Sequence, residues 1–480
     1  MSSDQTLPDK QKKRKGPKHW AMFVLRWGIA VAGVWYVLAH MTLRDQAWVI
    51  LDKTTNRPQQ VLLAHRVPED AATFPIIDPK THHVVDLPRA DVVNEPDQKS
   101  VQLRDGTFRK LLALDLIGDL NHNARVDQFL VEDPHTLNGV WIPPSEVQNY
   151  EVKVPHPRDQ VGLMSMIVDA RPALLWASVC VFVLTFIITS YRWHELLKAL
   201  DIHLTLGRTF AINMVACFYN TFMPGSTGGD LVKAYYASKQ TPHRMRAVMS
   251  VLVDRAIGLL ALIFVGGVAA GRQWDIPACR KVAIAAIAIC GCVLVGLLIF
   301  YDPRLHRLSG LDFILRKLPK QHHVRAAIEA MHMYGRRPLL VLWSLIISMP
   351  VHGTVILSAM FAGMAFGLPL HWSYYWVCVP VIVLAGAIPI SPQGAGVMEA
   401  FAVLLTRNQG VSVSQAFALA MSIRLVQILW NLTGVIFVIR GGYHAPSEKE
   451  AAELEEDGDD DNAPTDSSPA SGLGAPAVIT

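Results

Sequence analysis

The sequence predicts an α-helical polytopic membrane protein: about six full crossings, two re-entrant hairpins broken by proline and glycine, and a small β-rich insertion outside the cytoplasm. Three observations carry this. Of 480 residues 51% are hydrophobic and only 18% charged, with a mean hydropathy of +0.28. The apolar residues gather in runs of the ~20 residues that a helix needs to cross a bilayer. Two further apolar runs, one in each half, are interrupted by Pro/Gly clusters beside an acidic residue.

The net charge of +4 is spread unevenly. Residues 1–20 carry KQKKRKGPK and form a basic tail. Beside an apolar run, such a tail anchors the N-terminus in the cytoplasm rather than binding nucleic acid. The run Trp20 to Met41 exceeds a signal-peptide core and lacks a clear cleavage site, so residues 21–43 make the first span. Residues 44–170 differ in kind, with 19 acidic against 13 Lys/Arg residues, many prolines and short alternating segments such as Gln60 to Leu63, His83 to Leu87 and Tyr150 to Val154. That alternation predicts a small β-rich domain. Within it, Asp119 to Asp127 has oxygen ligands at alternate positions, as in a calcium loop. Ala124 and Leu130 replace the turn glycine and the closing acid, which favours an Asn/Asp-rich turn. The pair His82 and His83 lacks metal-ligand spacing and reads as solvated.

The membrane domain is expected over 171–440. Pro172 to Tyr191 crosses inward, with Arg192 and Lys198 as its cytoplasmic flank. Thr205 to Thr221 runs into Pro224, Gly225, Gly228 and Gly229, then Asp230 and Lys233. Basic residues follow again at Lys239, Arg244 and Arg246. Both flanks therefore want the same side, and a segment that enters, turns and returns satisfies them. Spans follow at Ala247 to Ala270, Val282 to Tyr301 and Pro338 to Leu368. Between the last two, a loop with eight Lys/Arg against three acids favours anionic headgroups. Tyr374 to Ile390 then meets a second break, Ser391 to Glu399, and Ala416 to Ile439 is the final span. Both termini fall inside, and residues 441–480, with ten acids and one lysine, form a disordered tail.

The chemistry resides in the breaks and the charges near them. Irregular backbone at membrane depth is tolerated only where protein packs on it or water reaches it, and paired broken segments mark transporter sites. Pro224 to Gly228 matches Pro392 to Gly396 in spacing, and each is followed by an acid, Asp230 or Glu399. Asp254, Arg255 and Arg424 interrupt spans. Such charges need an opposite charge, a carbonyl, water or a lipid phosphate, and Glu399 and Asp254 are the candidate acids. The rival reading is a structural ion pair that orients helices. His352 reads as a satisfied packing histidine. The six cysteines show no disulfide framework and no CxxC metal site. No nucleotide-binding glycine loop, HExxH or Gly-x-Ser-x-Gly is present, which argues against an enzyme and implies no cofactor.

Three stretches in order, FYNTFMPGSTGGDLVKAYY (218–236), SVLVDRAIGLLAL (250–262) and AIPISPQGAGVMEA (387–400), resemble the lysylphosphatidylglycerol synthase transmembrane-region family of flippase-like membrane proteins. The resemblance implies a polytopic inner-membrane protein moving a phospholipid between leaflets. It places the family's motif residues on Gly228, Gly229, Asp230 and Lys233, on Asp254 and Arg255, and on Pro392, Gly394, Gly396 and Glu399. The aminoacyl-transferase domain of bifunctional members is absent, and the insertion after the first span departs from the pattern. The expected substrate is a phospholipid or lipid-linked molecule held where Lys233, Arg255 and Arg424 meet its phosphate. Transport of a small charged solute, or a receptor built on 44–170, are the rival functions.

Overall fold

The structure is a computed structural model that describes residues 28, 31, 32, 35, 39, 42–65, 67, 71–94, 100–117, 125–148, 150, 159–222, 228–242, 244–309, 321–388, 391, 394–406, 409–441 and 443–444. Most of the calcium-like stretch Asp119 to Asp127, all but Tyr150 of the segment Tyr150 to Val154, and Pro224 and Pro392 lie outside these residues, as do most of the first span and both tails.

The insertion is β-rich, as its alternation predicts. One antiparallel sheet joins β1 (Gln46–Ile50), β2 (Pro58–Leu63), β3 (Thr73–Ile77), β4 (Val84–Pro88), β5 (Val92–Val93) and β10 (Asp159–Gln160). A second joins β6 (Ser100–Gln102), β7 (Phe108–Ile117), β8 (Arg125–Glu132) and β9 (Gly139–Ile142). Ala47, Val49, Val61, Leu63, Phe74 and Ile76 are buried together, the alternate positions that a pleated strand turns to one side. Ile50, Val93, Ala113 and Leu130 join the two sheets. The hairpin loops after β1, β3, β6 and β8 all open on an aspartate. Asp52, Asp78, Asp105 and Asp133 accept the backbone N–H two residues on at 2.8–2.9 Å. His82 and His83 are exposed.

The helical part begins with α1 (Leu163–Val168) and α2 (Pro172–Ala199), then α3 (Leu206–Phe222), α4 (Gly228–Ser238), α5 (Arg244–Gly271), α6 (Pro277–Tyr301), α7 (Pro303–Ser309) and α8 (Gln321–Gly335). It continues with α9 (Pro338–Ala365), α10 (Trp372–Ala387), α11 (Val397–Thr406), α12 (Val413–Leu432) and α13 (Val435–Gly441). Among the described residues five helices are long and apolar enough to cross a membrane: α2, α5, α6, α9 and the continuous α12–α13. The loop 302–337 is largely helical. Its α8 docks through Tyr334, whose hydroxyl donates to the Leu196 carbonyl at 3.1 Å.

The broken segments fold as hairpins. At 1.5 Å per residue, α3 and α4 rise about 26 and 17 Å, and α10 and α11 about 24 and 15 Å. None of them crosses ~30 Å of hydrocarbon and emerges with its polar ends wet. Gly229 brings α4 onto α3 so closely that a Cβ there would run into the Ala216 carbonyl. Gly394, at φ +69°, turns the chain so that Met398 packs on Gly386.

The two hairpins open on opposite faces. The mouth of the first lies where α4 ends and α5 begins. That of the second lies at the other end of α5, where Gln273 Nε2 donates to the Ser373 carbonyl at 3.1 Å. The β-domain shares this second face, since Ser414, at the start of α12, bonds Thr42 through its hydroxyl at 2.9–3.0 Å.

The second half repeats the first upside down. Helices α2 and α9 each have 28 residues and begin with a proline after an arginine. They lie antiparallel, with Ser178 on Ser358 at 3.0 Å, Thr185 on Thr354 at 2.8 Å and Arg192 on Ser348 at 2.6 Å. Small and hydroxylated side chains permit this close approach in lipid. Contacts recur at equivalent places: Gly229 sits on Asn220 as Met398 does on Gly386, and Gly266 meets Pro380 as Gly434 meets Met214.

Candidate functional site

Each break delivers an acid to an arginine on the span that follows it. Asp230 is the third residue of α4 and pairs with Arg255, the twelfth of α5. Glu399 is the third residue of α11 and pairs with Arg424, the twelfth of α12. The separation is 25 residues in both cases. Eleven residues of rise put each arginine about 17 Å from the start of its span. Because α5 and α12 start on opposite faces, both pairs lie near mid-depth.

The two pairs differ in their surroundings. Glu399 is 0% exposed. Its Oε2 accepts Arg424 Nη2 at 3.1 Å and the Gly396 N–H at 2.8 Å, while Nη1 stands 2.7 Å from Oε1. The Gly396 bond fixes the carboxylate at the first turn of α11, whose free amides favour negative charge. Asp230 and Arg255 are each about one-third exposed, so this pair faces a more open space.

Behind Asp230 lies a cluster that has no counterpart among the described residues of the second half. Asp254, buried at 5% exposure, accepts Arg192 Nε on Oδ1 at 2.8 Å, and Lys233 Nζ lies 3.6 Å from its Oδ2. Arg192 also donates to the Asp254 carbonyl at 3.2 Å and to Ser348 Oγ at 2.6 Å. The Lys233 ammonium sits 5.0 Å above the Trp193 ring, whose Nε1 donates to Ser250 at 3.3 Å. Arg192 and Lys233 share the one carboxylate of Asp254, while Arg255 pairs with Asp230. The described part of this cluster carries one surplus positive charge.

The expected site residues therefore fall into two groups rather than one. Gly228, Gly229, Asp230, Lys233, Asp254 and Arg255 gather at the first break, and Gly394, Gly396, Glu399 and Arg424 at the second. Glu399 is the acid that Arg424 needs, as expected, but Arg255 takes Asp230 rather than Asp254. The expected meeting of Lys233, Arg255 and Arg424 on one phosphate is replaced by three cations each already facing a carboxylate.

Arg192 corrects the expected flank: it is buried and holds Asp254, because α2 runs on to Ala199 instead of stopping at Tyr191. The sequence offers one signal for it, an arginine followed by the apolar Trp193, Leu196 and Leu197. His352 is satisfied, its Nε2 lying 2.8 Å from the Gly258 carbonyl.

Some of the unmet polar atoms lie beside the breaks. Among the described residues, Asn220 Oδ1, Ser391 Oγ and Arg424 Nε are buried without a hydrogen-bond partner. A buried polar group left unpaired costs about 1–3 kcal/mol, so these atoms mark where a ligand or water would be welcome. Among the described residues no group of three or more His, Cys, Asp or Glu side chains stands ready for a metal ion.

A search of curated proteins finds no match to the chain. Residues 158–434, more than half of the sequence and all of both hairpins, match the lysylphosphatidylglycerol synthase TM region; the protein belongs to that family.

Proposed function

We propose that the protein moves a phospholipid or lipid-linked phosphate between the leaflets of the cell (inner) membrane, and that it is a transporter rather than an enzyme. The observation that carries this reading is the surplus positive charge at mid-depth where Arg192 and Lys233 share the single carboxylate of Asp254. Charge in hydrocarbon is costly, and a lone anionic headgroup crossing at this depth would offset it. Two hairpins entering from opposite faces offer a polar route from each leaflet, with Asp230–Arg255 on one and Glu399–Arg424 on the other. The inverted repeat supports alternate exposure of the two routes. Basic residues at one face, among them Lys198, Lys239, Arg244, Arg246, Arg336 and Arg337, favour that face as cytoplasmic. The β-domain then lies outside and both termini inside.

The test uses the full chain in vesicles containing a trace of headgroup-labelled phosphatidylglycerol, with label in the outer leaflet quenched chemically. Wild type is expected to expose inner-leaflet label faster than protein-free vesicles do. The Asp230→Ala/Arg255→Ala double variant, checked for folding by size exclusion, is expected to fall to the background. Wild-type rates in that variant overturn the proposal.

A further inference from the structure

A cavity of about 500 Å³ opens between α5, α9 and α10 on the face that carries the β-domain. Phe264, Val268, Met349 and Trp376 line its depth, and Arg272 and Trp372 line its rim. Phe264, Val268 and Trp372 are 44%, 51% and 62% exposed, so the cavity opens sideways toward lipid. Arg272 follows the last residue of a span, and Trp372 is the first residue of α10. Both therefore sit at headgroup level, where arginine and tryptophan anchor membrane proteins. The lining contains no carboxylate, and Arg280 and Lys281 add positive charge at the same end of the adjoining α6.

The inverted repeat supplies an internal control. Trp376 is the fifth residue of α10, and its counterpart Phe210 is the fifth of α3. Ala269 lies three residues past Gly266 and Phe437 three past Gly434; the turn at Thr433–Gly434 makes this register one residue shorter than the one that pairs Arg255 with Arg424. In the counterpart position Phe210 and Phe437 meet edge to face with centroids 5.8 Å apart. There two rings occupy the space, whereas on the β-domain side small Ala269 lines the cavity together with Trp376.

We propose that this groove is a phospholipid-binding site of the leaflet on the β-domain side. One acyl chain lies along Phe264, Val268, Met349 and Trp376, and an anionic phosphate rests on Arg272. It is a lipid contact separate from the buried ion pairs. Its one-sidedness is written in the sequence through Ala269 and Phe437.

Ala269→Phe transplants the residue that fills the counterpart. Arg272→Glu reverses the charge at an exposed position without touching the core. The full-length protein is loaded with phosphatidylglycerol or phosphatidylcholine carrying a photoreactive tail, irradiated and digested. Wild type is expected to label the peptides holding Met349 and Trp376 well above those holding the lipid-facing Ile287 and Leu294. Ala269→Phe is expected to lower that labelling severalfold. Arg272→Glu is expected to cut the preference for phosphatidylglycerol over phosphatidylcholine by about fivefold or more. Labelling no higher than at Ile287 and Leu294, or labelling indifferent to Ala269→Phe in a variant that elutes and melts like wild type, overturns the site. The readout contains no transport step. A failed vesicle assay therefore leaves the groove standing, and a failed cross-link leaves the transport reading standing.

Discussion

Arg424 grips Glu399 with two nitrogens, 2.7 Å from Nη1 to Oε1 and 3.1 Å from Nη2 to Oε2, while the carboxylate is wholly shielded from solvent. Such a pair is a poor source of net stability, yet breaking it on one side leaves a buried charge uncompensated. Arg424→Gln is therefore expected to destabilise the protein by about 3–5 kcal/mol. The double variant Arg424→Met/Glu399→Gln should recover much of that loss. Thermal unfolding in detergent checks both. Equal melting of wild type and Arg424→Gln contradicts the argument.

Lys233 offers a cleaner view of the surplus charge. Its stem is buried beside Trp193 and its ammonium is 3.6 Å from Asp254, which Arg192 already satisfies. Lys233→Met keeps the apolar stem and removes the charge. The fold is expected to survive, and scrambling of phosphatidylglycerol to drop about tenfold or more. Scrambling of a zwitterionic lipid should change less. An equal loss for both lipids would show that Lys233 shapes the site without reading the phosphate.

Topology is open to direct labelling. In a background with the six cysteines replaced, His203→Cys and Thr241→Cys flank the first hairpin and should react with a membrane-impermeant reagent from the same face. His371→Cys, at an exposed position, and Gln409→Cys flank the second and should react from the opposite face. If the two members of either pair react from different sides, that hairpin crosses the membrane.

Acid should act first on the β-domain. Thr54 hydrogen bonds, chiefly from its side chain, hold the Asp52 carboxyl below its ordinary 3.8. The Lys80 backbone does the same for Asp78, the Thr107 side chain for Asp105 and the His135 backbone for Asp133. A carboxylate whose pKa falls on folding adds stability above its unfolded value and loses it as pH drops through the folded value. The loss therefore belongs below about pH 3.8 and not near neutrality. Hydrogen exchange at the Thr54, Lys80, Thr107 and His135 amides should lose protection there. Constant protection down to about pH 2 would contradict this.

The hairpins were legible because proline, glycine and charge all stand out in an apolar run. So were most residues of the two ion pairs, since Asp230, Arg255, Glu399 and Arg424 have few places to hide. Which acid meets which arginine was harder, because tertiary packing decides it. Yet the equal spacing of Asp230 to Arg255 and Glu399 to Arg424 is a sequence fact that the repeat explains. Arg192 is hidden in the sequence because its helix continues to Ala199, beyond the end of the apolar run. In the insertion, alternation exposed strands such as β2 and β4. The division into two sheets stayed hidden, since it rests on long-range pairs such as Val93 with Leu130.

The chain leaves for the β-domain and comes back at nearly one point: Leu163 N–H reaches the Thr42 carbonyl at 3.0 Å, and Gly162 N–H reaches Asp45 at 2.6 Å. A lobe whose described ends meet at so short a gap exerts little leverage on what it hangs from. It behaves as a graft, removable by joining residue 44 to residue 162 through a few glycines, because closing so short a gap costs little chain entropy. With the lobe cut away at this gap, the helices beneath it are expected to keep their register.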